Sequence, residues 1–555
     1  MKRFFIIALA ALGFVACSDN NLDDVNNNGY SGEVETSYVA INLSAADNTT
    51  RIEGGEYQDG LDAERVVNSA YFFFFDPEGN AFPVTATAGD PATAPGGTVN
   101  WISASLTTDG KETPNVSDIK DAVLVLSTYK GTYPAQIVAV INWAPAADTA
   151  YSLDDLYVAT NITGVGNGFV MSNAVYANGS NVVVGAPLTA GDIYKSDTEA
   201  LAHPITIHVE RIAAKVTVTA KNTVEEGRYL VKSENISGNT TDVYVQVKGW
   251  SLHNDFAQSK LLKNIDLAWG DGSTLGFTWN DNPYYRSYWA KSLAISEIGE
   301  NAFPTTFPFA LGNATNVNDG TYAANTYTYV GENTNYVVDN TANCTKVIVK
   351  AELQKQVSEG VFEAIPLTRW YTTYYATLED LLTAVANTIK YQYYWYDETD
   401  SQYKYITPGD LTVVKDANMV KFELSANGTV KNWFINGTSG YVAKTDAEIN
   451  ESLAKIEKGL YYEGGATLYV VDIKHLGNGV AGAHKLGDYG VVRNHIYNVI
   501  LNSFGGFGSP VYTPGAGEDF DYPDDPTTTG EYVSAEVRVL SWRLVRNEVD
   551  VQPQP

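Results

Sequence analysis

Apolar side chains recur at every second position in many short runs of this chain, and turn-forming residues separate the runs. Examples are "YVAINLSA" at 38–45 and "VSAEVRVL" at 533–540, and "AVLVLSTY" at 122–129 and "QIVAVI" at 136–141 are further strand-like runs rich in Val and Ile. A period of two is that of a β-strand with one buried face. Many such strands with few helices between them predict a mainly β chain built from β-sandwiches.

Two segments have a helical pattern instead. "TLEDLLTAVANTI" at 377–389 and "TDAEINESLAKIEKGL" at 445–460 each begin with a threonine that lies three residues before an acidic residue. Thr377 with Asp380, and Thr445 with Glu448, have the spacing of a capping box. Apolar residues follow at intervals of three and four, which predicts two short helices that lie on a sheet, the second of them stopped by Gly459.

The chain is too long for one hydrophobic core, since it has 555 residues. We place a boundary between two domains near residues 200–212, where a turn precedes the run "ITIHVERIAAKV". The acidic, Pro-, Gly- and Thr-rich stretch at 506–532 is typical of a linker, and it leaves the alternating run at 533–540 as a tethered tail strand.

The first residues, "MKRFFIIALAALGFVAC", have the layout of an export signal. Two basic residues precede an apolar run that is too short to span a bilayer. "FVAC" then resembles a bacterial lipobox with Cys17 as the lipid acceptor, although its phenylalanine departs from the usual leucine. We expect a lipoprotein signal; an ordinary signal peptide with a chance cysteine is the alternative.

Charge and motif content narrow the function classes. The net charge is −29, from 65 acidic and 36 basic residues, which argues against a nucleic-acid partner. The six histidines lack the spacing of a zinc peptidase, Cys344 has no base beside it in sequence, and no nucleophile elbow or phosphate loop is present. We therefore expect no enzyme activity, no catalytic residue, no cofactor and no metal. The aromatic run "YQYYWYDETDSQYKY" predicts a Tyr-rich hairpin at a sheet edge, with sugar stacking as the alternative.

Two strands with the same pattern suggest self-association. The first contains Val39, Ile41, Leu43 and Ala45 and precedes a polar loop with Arg51, and the tail strand contains Val533, Ala535, Val537 and Val539. If a protease cuts between Arg51 and Ile52 and the first strand leaves, the sheet has a vacancy with unpaired backbone groups. The tail of another copy can fill it by strand addition, and such a head-to-tail contact builds a filament.

Two details of this hypothesis remain open. Arg65 is a second candidate for cleavage, but it abuts a strand and should be less accessible. The donor segment extends to Leu540, Trp542 and Leu544, where the apolar phase shifts, so that a bulge or turn after Val539 is expected.

The order of several motifs resembles that of the Bacteroidales fimbrillins, or type V pilins, and most closely those of the short (minor) fimbriae. These motifs are "GFVMSNA", "VERIAAKVTV", "GLYYEGGATLYVVDIKHL", "YGVVRNHIYNVIL" and the tail "VSAEVRVLSWRLVRNEVDV". The resemblance implies two transthyretin-like β-sandwich domains with a few short helices and a C-terminal donor-strand tail. The implied segments are a lipoprotein signal peptide (1–17), a propeptide with the removable strand (18–51), an N-terminal sandwich (52–206), a C-terminal sandwich (207–505), a linker (506–532) and the tail (533–555).

The resemblance also implies a route and partners. A precursor lipidated at Cys17 would reach the outer-membrane surface, a protease would cut it after Arg51, and copies would polymerise with each other and with accessory tip and anchor subunits. The extracellular fimbrium would support adhesion to a host or bacterial surface receptor and biofilm formation. The alternatives are a monomeric surface lipoprotein that binds glycans, and a tip or anchor subunit of the same fimbriae.

Overall fold

The computed structural model describes most of the chain. The described residues are 34–45, 57–58, 61–84, 99–103, 107–108, 120–129, 131–178, 181–221, 223–224, 227–266, 289–298, 303–313, 322–338, 340–416, 418–426, 431–475, 486–510 and 533–542. Cys17, Arg51, Ile52, Leu544 and most of the predicted linker lie outside them.

Thirteen strands lie in the described residues of the N-terminal part. They are β1 (Val34–Ala45), β2 (Tyr57–Gln58), β3 (Ala70–Phe75), β4 (Trp101–Ser103), β5 (Thr107–Thr108), β6 (Lys120–Tyr129), β7 (Gln136–Ile141), β8 (Ala159–Asn161), β9 (Met171–Asn173), β10 (Tyr176–Asn178), β11 (Asn181–Val183), β12 (Ala186–Pro187) and β13 (Ile205–Arg211). Helix α1 (Asp197–Ala202) precedes β13, and Ser196 caps it by accepting a hydrogen bond from the Glu199 amide at 3.2 Å.

Nine of these strands form one sheet, in the order β4-β3-β7-β9-β13-β1-β6-β5 with β12 beside β7. Phe72 of β3 and Leu124 of β6 are far apart in this order, yet both belong to one buried cluster with Val39 and Ile41. The sheet therefore curls around a core, as in a sandwich. The other face of β3 and β7 is also buried, and it points towards the second half of the chain.

In the C-terminal part, the described residues form twenty strands and three helices. The strands are β14 (Ala213–Ala220), β15 (Arg228–Ile236), β16 (Asn239–His253), β17 (Gln258–Lys260), β18 (Tyr327–Gly331), β19 (Lys346–Ser358), β20 (Val361–Ala364), β21 (Leu367–Trp370), β22 (Thr373–Tyr375), β23 (Tyr393–Asp397), β24 (Gln402–Tyr405), β25 (Leu411–Asp416), β26 (Met419–Leu424), β27 (Trp433–Gly437), β28 (Gly440–Lys444), β29 (Gly459–Tyr462), β30 (Ala466–Asp472), β31 (His495–Phe504), β32 (Ser509–Pro510) and β33 (Val533–Trp542). The helices are α2 (Ile295–Ile298), α3 (Leu378–Ile389) and α4 (Asp446–Leu453).

Two sheets of this part pack face to face. One has five strands in the order β18-β14-β31-β33-β2, and the other has eleven strands centred on β15, β16, β19 and β30. Val216 of β14 and Val499 of β31 share a buried cluster with Val245 of β16 and Val349 of β19. Because one core is lined by both sheets, this half is a β-sandwich.

Both predicted helices form, and their threonine caps are present. Thr377 accepts a hydrogen bond from the Asp380 amide at 3.1 Å, and Thr445 forms a capping box with Glu448. The end predicted for the second helix is wrong: it stops at Leu453, and Gly459 begins β29. A last turn with Ile456 lies between them, and burial of Ile449 and Leu453 fixes the helix on the sheet without a glycine stop.

The mainly β fold class is confirmed. The chain changes from the first sheet to the second between β13 and β14, with Ile212 at the junction, a few residues beyond the predicted 206/207 division. β13 stays in the first sheet because it pairs with β1 on one side and β9 on the other. No helix among the described residues has both the length and the apolar character needed to cross a bilayer.

Candidate assembly site

Strand β1 lies in the interior of the first sheet. It pairs with β6 in antiparallel fashion at ten positions, from Val34 to Leu43, and with β13 in parallel at five, from Ile41 to Ala45. The described strand order reaches β6 and β5 only through β1. Removal of β1 would therefore leave unpaired backbone groups on both β13 and β6.

The middle of β1 is buried on both faces. Val39 and Ile41 are fully buried in the core of the first sheet, and Ser37 on the same face and Ala40 on the opposite face are also buried. Helix α1 packs against the strand. Burial of Val39 and Ile41 contributes about 1.5–3 kcal/mol each. The backbone of Leu43 and Ala45 continues the strand in register, and their side chains lie outside the described part.

The predicted tail strand forms β33 and packs on its own molecule. It pairs with β31 in antiparallel fashion at nine positions, from Val533 opposite Phe504 to Ser541 opposite His495. The bulge or turn expected after Val539 is absent from this strand, which continues to Trp542. The one register shift lies between Leu501 and Ser503 of β31, opposite the start of the tail.

The end of the tail meets the segment that follows the predicted cleavage site. Tyr57 and Gln58 of β2 pair in parallel with Ser541 and Trp542. β2 is the only described strand on that side of β33, so β33 lies close to the edge of the five-stranded sheet. A strand with so little pairing on one side separates at lower cost than an interior strand.

The second candidate for cleavage, Arg65, ends a short 3-10 helix at Asp62–Arg65. Its neighbour Glu64 is buried and anchored: the Arg211 guanidinium donates to the Glu64 carbonyl at 2.7 Å, and Lys215 pairs with its carboxylate at 2.8 Å. The Tyr329 hydroxyl donates to the same carboxylate. A protease needs several residues of extended backbone, so this anchored turn is a poorer substrate than a loop.

These buried ions belong to a network that the sequence analysis missed. Glu64 and Arg211 come from the first half of the chain, whereas Lys215 lies on β14 and Tyr329 on β18. Burial lowers the pKa of Lys215, and the Glu64 charge opposes this shift. The motif "VERIAAKV" could have indicated this network, since charged residues interrupt its apolar pattern. Charged residues at buried strand positions need buried partners.

A second set of buried charges lies beside the first. Arg493 pairs with Glu332 at 2.9 Å, and the same guanidinium donates to the carbonyls of Lys260 at 2.8 Å and Leu261 at 3.3 Å. Lys263 lies 3.6 Å from Glu210 of β13. Burial lowers the pKa of Lys263. Apolar residues of both halves surround these groups, among them Phe73 and Val138 of the first sheet and Leu261 and Ile496 of the second.

The described residues contain no group of three or more His, Cys, Asp or Glu side chains arranged to hold a metal ion. Cys344 is buried, and burial raises its pKa to about 12. A thiol with so high a pKa is a poor nucleophile near neutral pH.

Comparison with protein families gives one match, in the C-terminal part of the chain. Residues 460–548 match the family model of the major fimbrial subunit protein type IV, fimbrillin, C-terminal. This part of the chain is fimbrillin-like. It includes β30, β31 and the tail strand β33, so the tail belongs to the matched unit. No curated protein matches the chain.

Three solved structures align with much of this chain at low sequence identity. A protein of Parabacteroides distasonis assigned to cell adhesion is 13% identical, with 92% of this chain and 98% of that chain covered and a TM-score of 0.38. A fimbrilin of Porphyromonas gingivalis is 12% identical, with 92% and 99% covered and a TM-score of 0.33. A fimbrial assembly protein of Parabacteroides distasonis is 10% identical, with 74% and 100% covered and a TM-score of 0.28. These likenesses are too distant to carry an argument about function.

Proposed function

We propose that the chain is a structural subunit of cell-surface fimbriae that polymerises by donor-strand exchange after proteolysis. The observation that carries the proposal is the interior position of β1. It is N-terminal to Arg51, it alone joins β6 to β13 in the described sheet, and its Val39 and Ile41 side chains lie in the core. Its removal creates a vacancy that only another β-strand can fill.

The tail is the proposed donor. Its apolar positions are Val533, Ala535, Val537 and Val539, followed by Leu540, Trp542 and Leu544. In the uncut chain β33 lies close to the edge of the five-stranded sheet of its own molecule, with only β2 described beyond it. The tail remains there until assembly. When the tail leaves this position, it loses its backbone pairing with β31. Insertion between β6 and β13 of another copy replaces this pairing with backbone pairing along both edges of the tail.

The proposed route begins with export. The precursor carries a lipid on Cys17, reaches the outer-membrane surface and is cut between Arg51 and Ile52. Processed copies then join head to tail, together with accessory tip and anchor subunits, and the fimbrium supports adhesion and biofilm formation. The fimbrillin family model over residues 460–548 supports a cell-surface role, and the proposal requires neither a cofactor nor nucleic acid.

Limited trypsin treatment of the purified full chain tests the proposal. We expect a new N-terminus at Ile52, followed by polymers visible by size-exclusion chromatography and electron microscopy. Arg51→Gln should remain uncut at this position and monomeric, whereas the matched variant Arg65→Gln should be processed and polymerise normally.

Two results would contradict the proposal. One is a chain that is fully cleaved at Arg51 and stays monomeric. The other is normal polymerisation of a chain that lacks residues 533–555, which would remove the tail from the mechanism.

A further inference from the structure

A four-stranded sheet beside the second sandwich carries a patch of aromatic side chains. Its strand order is β24-β23-β27-β28. Directly paired residues share a face, so the pairs Tyr394–Tyr405, Tyr396–Tyr403 and Asn436–Tyr441 place their side chains together. We call this the tyrosine face; its rings are those of Tyr391, Tyr394, Tyr396, Tyr403, Tyr405 and Tyr441.

The rings contact one another and remain open to solvent. Tyr403 and Tyr441 stack with centroids 3.8 Å apart, and Tyr391 stands edge-on to Tyr405 at 5.2 Å. These four residues are 39–60% exposed: Tyr403 39%, Tyr441 43%, Tyr405 47% and Tyr391 60%. Contiguous exposed aromatic surface of this kind marks an interaction site.

The floor of the patch is fixed. Tyr394 is buried beneath Tyr405 and Tyr441, and its hydroxyl donates to the Tyr391 carbonyl at 2.9 Å and accepts from the Asn436 amide at 2.9 Å. On the other side of the sheet, Tyr393 and Trp433 belong to the buried cluster that also contains α3 and α4 residues. The rings are thus held on a rigid support, which lowers the entropy cost of binding.

The four strands place no charged side chain on the tyrosine face, and the Lys390 ammonium lies beside it, 4.9 Å from the Tyr391 ring centroid. Among the described residues of the four strands, the charged side chains alternate onto the opposite face, where Lys404 pairs with Asp397. Lys431 pairs with Asp410 nearby. An aromatic surface with a single lysine beside it does not suit nucleic acid or another polyanion, which require clustered Lys and Arg.

We infer that the tyrosine face binds an uncharged carbohydrate chain. The apolar C–H faces of pyranose rings match exposed aromatic faces, and sugar hydroxyls match the phenol hydroxyls and the exposed Asn436 amide. Tyr394 contacts one ring of each exposed pair, Tyr441 of the first and Tyr405 of the second. Together the two pairs provide stacking surfaces for more than one sugar unit. This activity goes beyond the assembly role and does not depend on it, because the sheet lies apart from β1 and β33.

The test uses the full-length Arg51→Gln chain, whose binding can be measured without processing at this site. The probes are immobilised neutral oligosaccharides of glucose, galactose, mannose and N-acetylglucosamine. We expect binding to at least one series, and a loss of affinity of about tenfold or more in Tyr403→Ala and Tyr441→Ala, because each removes half of the stacked pair. Tyr371→Ala is the matched control, since Tyr371 is 62% exposed and lies off this face.

Each other result overturns the inference. No binding to any neutral probe, or binding only to sialylated or sulfated ones, removes the proposed ligand class. Binding that Tyr403→Ala and Tyr441→Ala leave unchanged removes the proposed site. Sedimentation that shows dimers of the wild type and monomers of Tyr441→Ala assigns the face to a second copy. Circular dichroism of each variant confirms that a loss of binding is not a loss of fold.

Discussion

At the scale of single residues, a buried ion pair of the second half lies beside the junction with the first half, close to the Lys263–Glu210 pair. Glu332 and Arg493 are almost fully buried, and Arg493 makes further hydrogen bonds to two carbonyls. Burial alone raises the pKa of Glu332, but Arg493 and Lys263 lower it, and the net effect is a pKa below its ordinary value of 4.5. Each buried charge is compensated only while its partner is present. Removal of one partner therefore leaves the other charge buried and unpaired, which destabilises the folded chain.

The variant Glu332→Gln should therefore lower the free energy of unfolding at neutral pH by about 3 kcal/mol. Since the pKa of Glu332 is lower in the folded chain than in the unfolded chain, the folded state gains stability above the unfolded pKa. This gain is lost as the pH falls through the folded pKa. The difference between wild type and variant should thus be full near pH 7 and shrink below about pH 4.5. Urea denaturation at several pH values measures it.

The control for this prediction is Glu463→Gln. Glu463 pairs with Lys415, but its side chain is 72% exposed, so the effect should stay within about 0.5 kcal/mol. A Glu332→Gln protein as stable as wild type at pH 7 would contradict the role assigned to the pair.

At the scale of elements, the two strands with the same sequence pattern have different environments. β1 is paired along both edges and buried on both faces at its centre, whereas β33 is paired along one edge and touches only the two residues of β2 on the other. Interior strands are held by more contacts than edge strands. β1 therefore stabilises the uncut chain, and β33 is the element that separates more readily.

Ile41→Ala should show this difference. In the uncut Arg51→Gln background, we expect it to lower the free energy of unfolding by about 3 kcal/mol, because a fully buried isoleucine leaves a cavity in the core. Thermal or urea unfolding followed by tyrosine and tryptophan fluorescence measures the change. Val442→Ala, at a strand position that is 47% exposed, serves as the control and should change little. Equal stability of Ile41→Ala and its parent would mean that the strand adds little to the core, and the proposed vacancy would lose its basis.

At the scale of the whole molecule, the two halves share a buried interface. Phe73 and Val138 from the first sheet pack in one cluster with Leu261 and Ile496 from the second half. The short pairing of β8 with β17 also crosses between the halves. Because apolar contacts and buried charges cross the junction together, the unfolding of one half exposes groups of the other.

We therefore expect the uncut chain to unfold in a single cooperative transition. Differential scanning calorimetry should give a van't Hoff enthalpy close to the calorimetric enthalpy. Two well-separated transitions would contradict this expectation and would mean that the junction contributes little to the coupling of the halves.

Much of the local structure was predictable because it depends on near neighbours in sequence. The strands β1, β6, β7, β13 and β14, the threonine caps of α3 and α4, and the Tyr-rich hairpin of β23 and β24 all formed as predicted. The end of α4 was not predictable, since burial of Leu453 rather than a glycine decides it. The partners of Glu64 and Glu332 were not predictable either, since they are far away in sequence.

By itself, the sequence determined which segments are strands, which are helices and where the apolar faces lie, because these follow from side-chain periodicity and local hydrogen bonding. The tertiary structure alone decided which strand is interior and which is at an edge. The same alternating pattern suits both positions, and only pairing with β6, β13 and β31 distinguishes β1 from β33. It also decided that six tyrosines meet on one open face, because that arrangement requires the pairing of β27 and β28 with the hairpin.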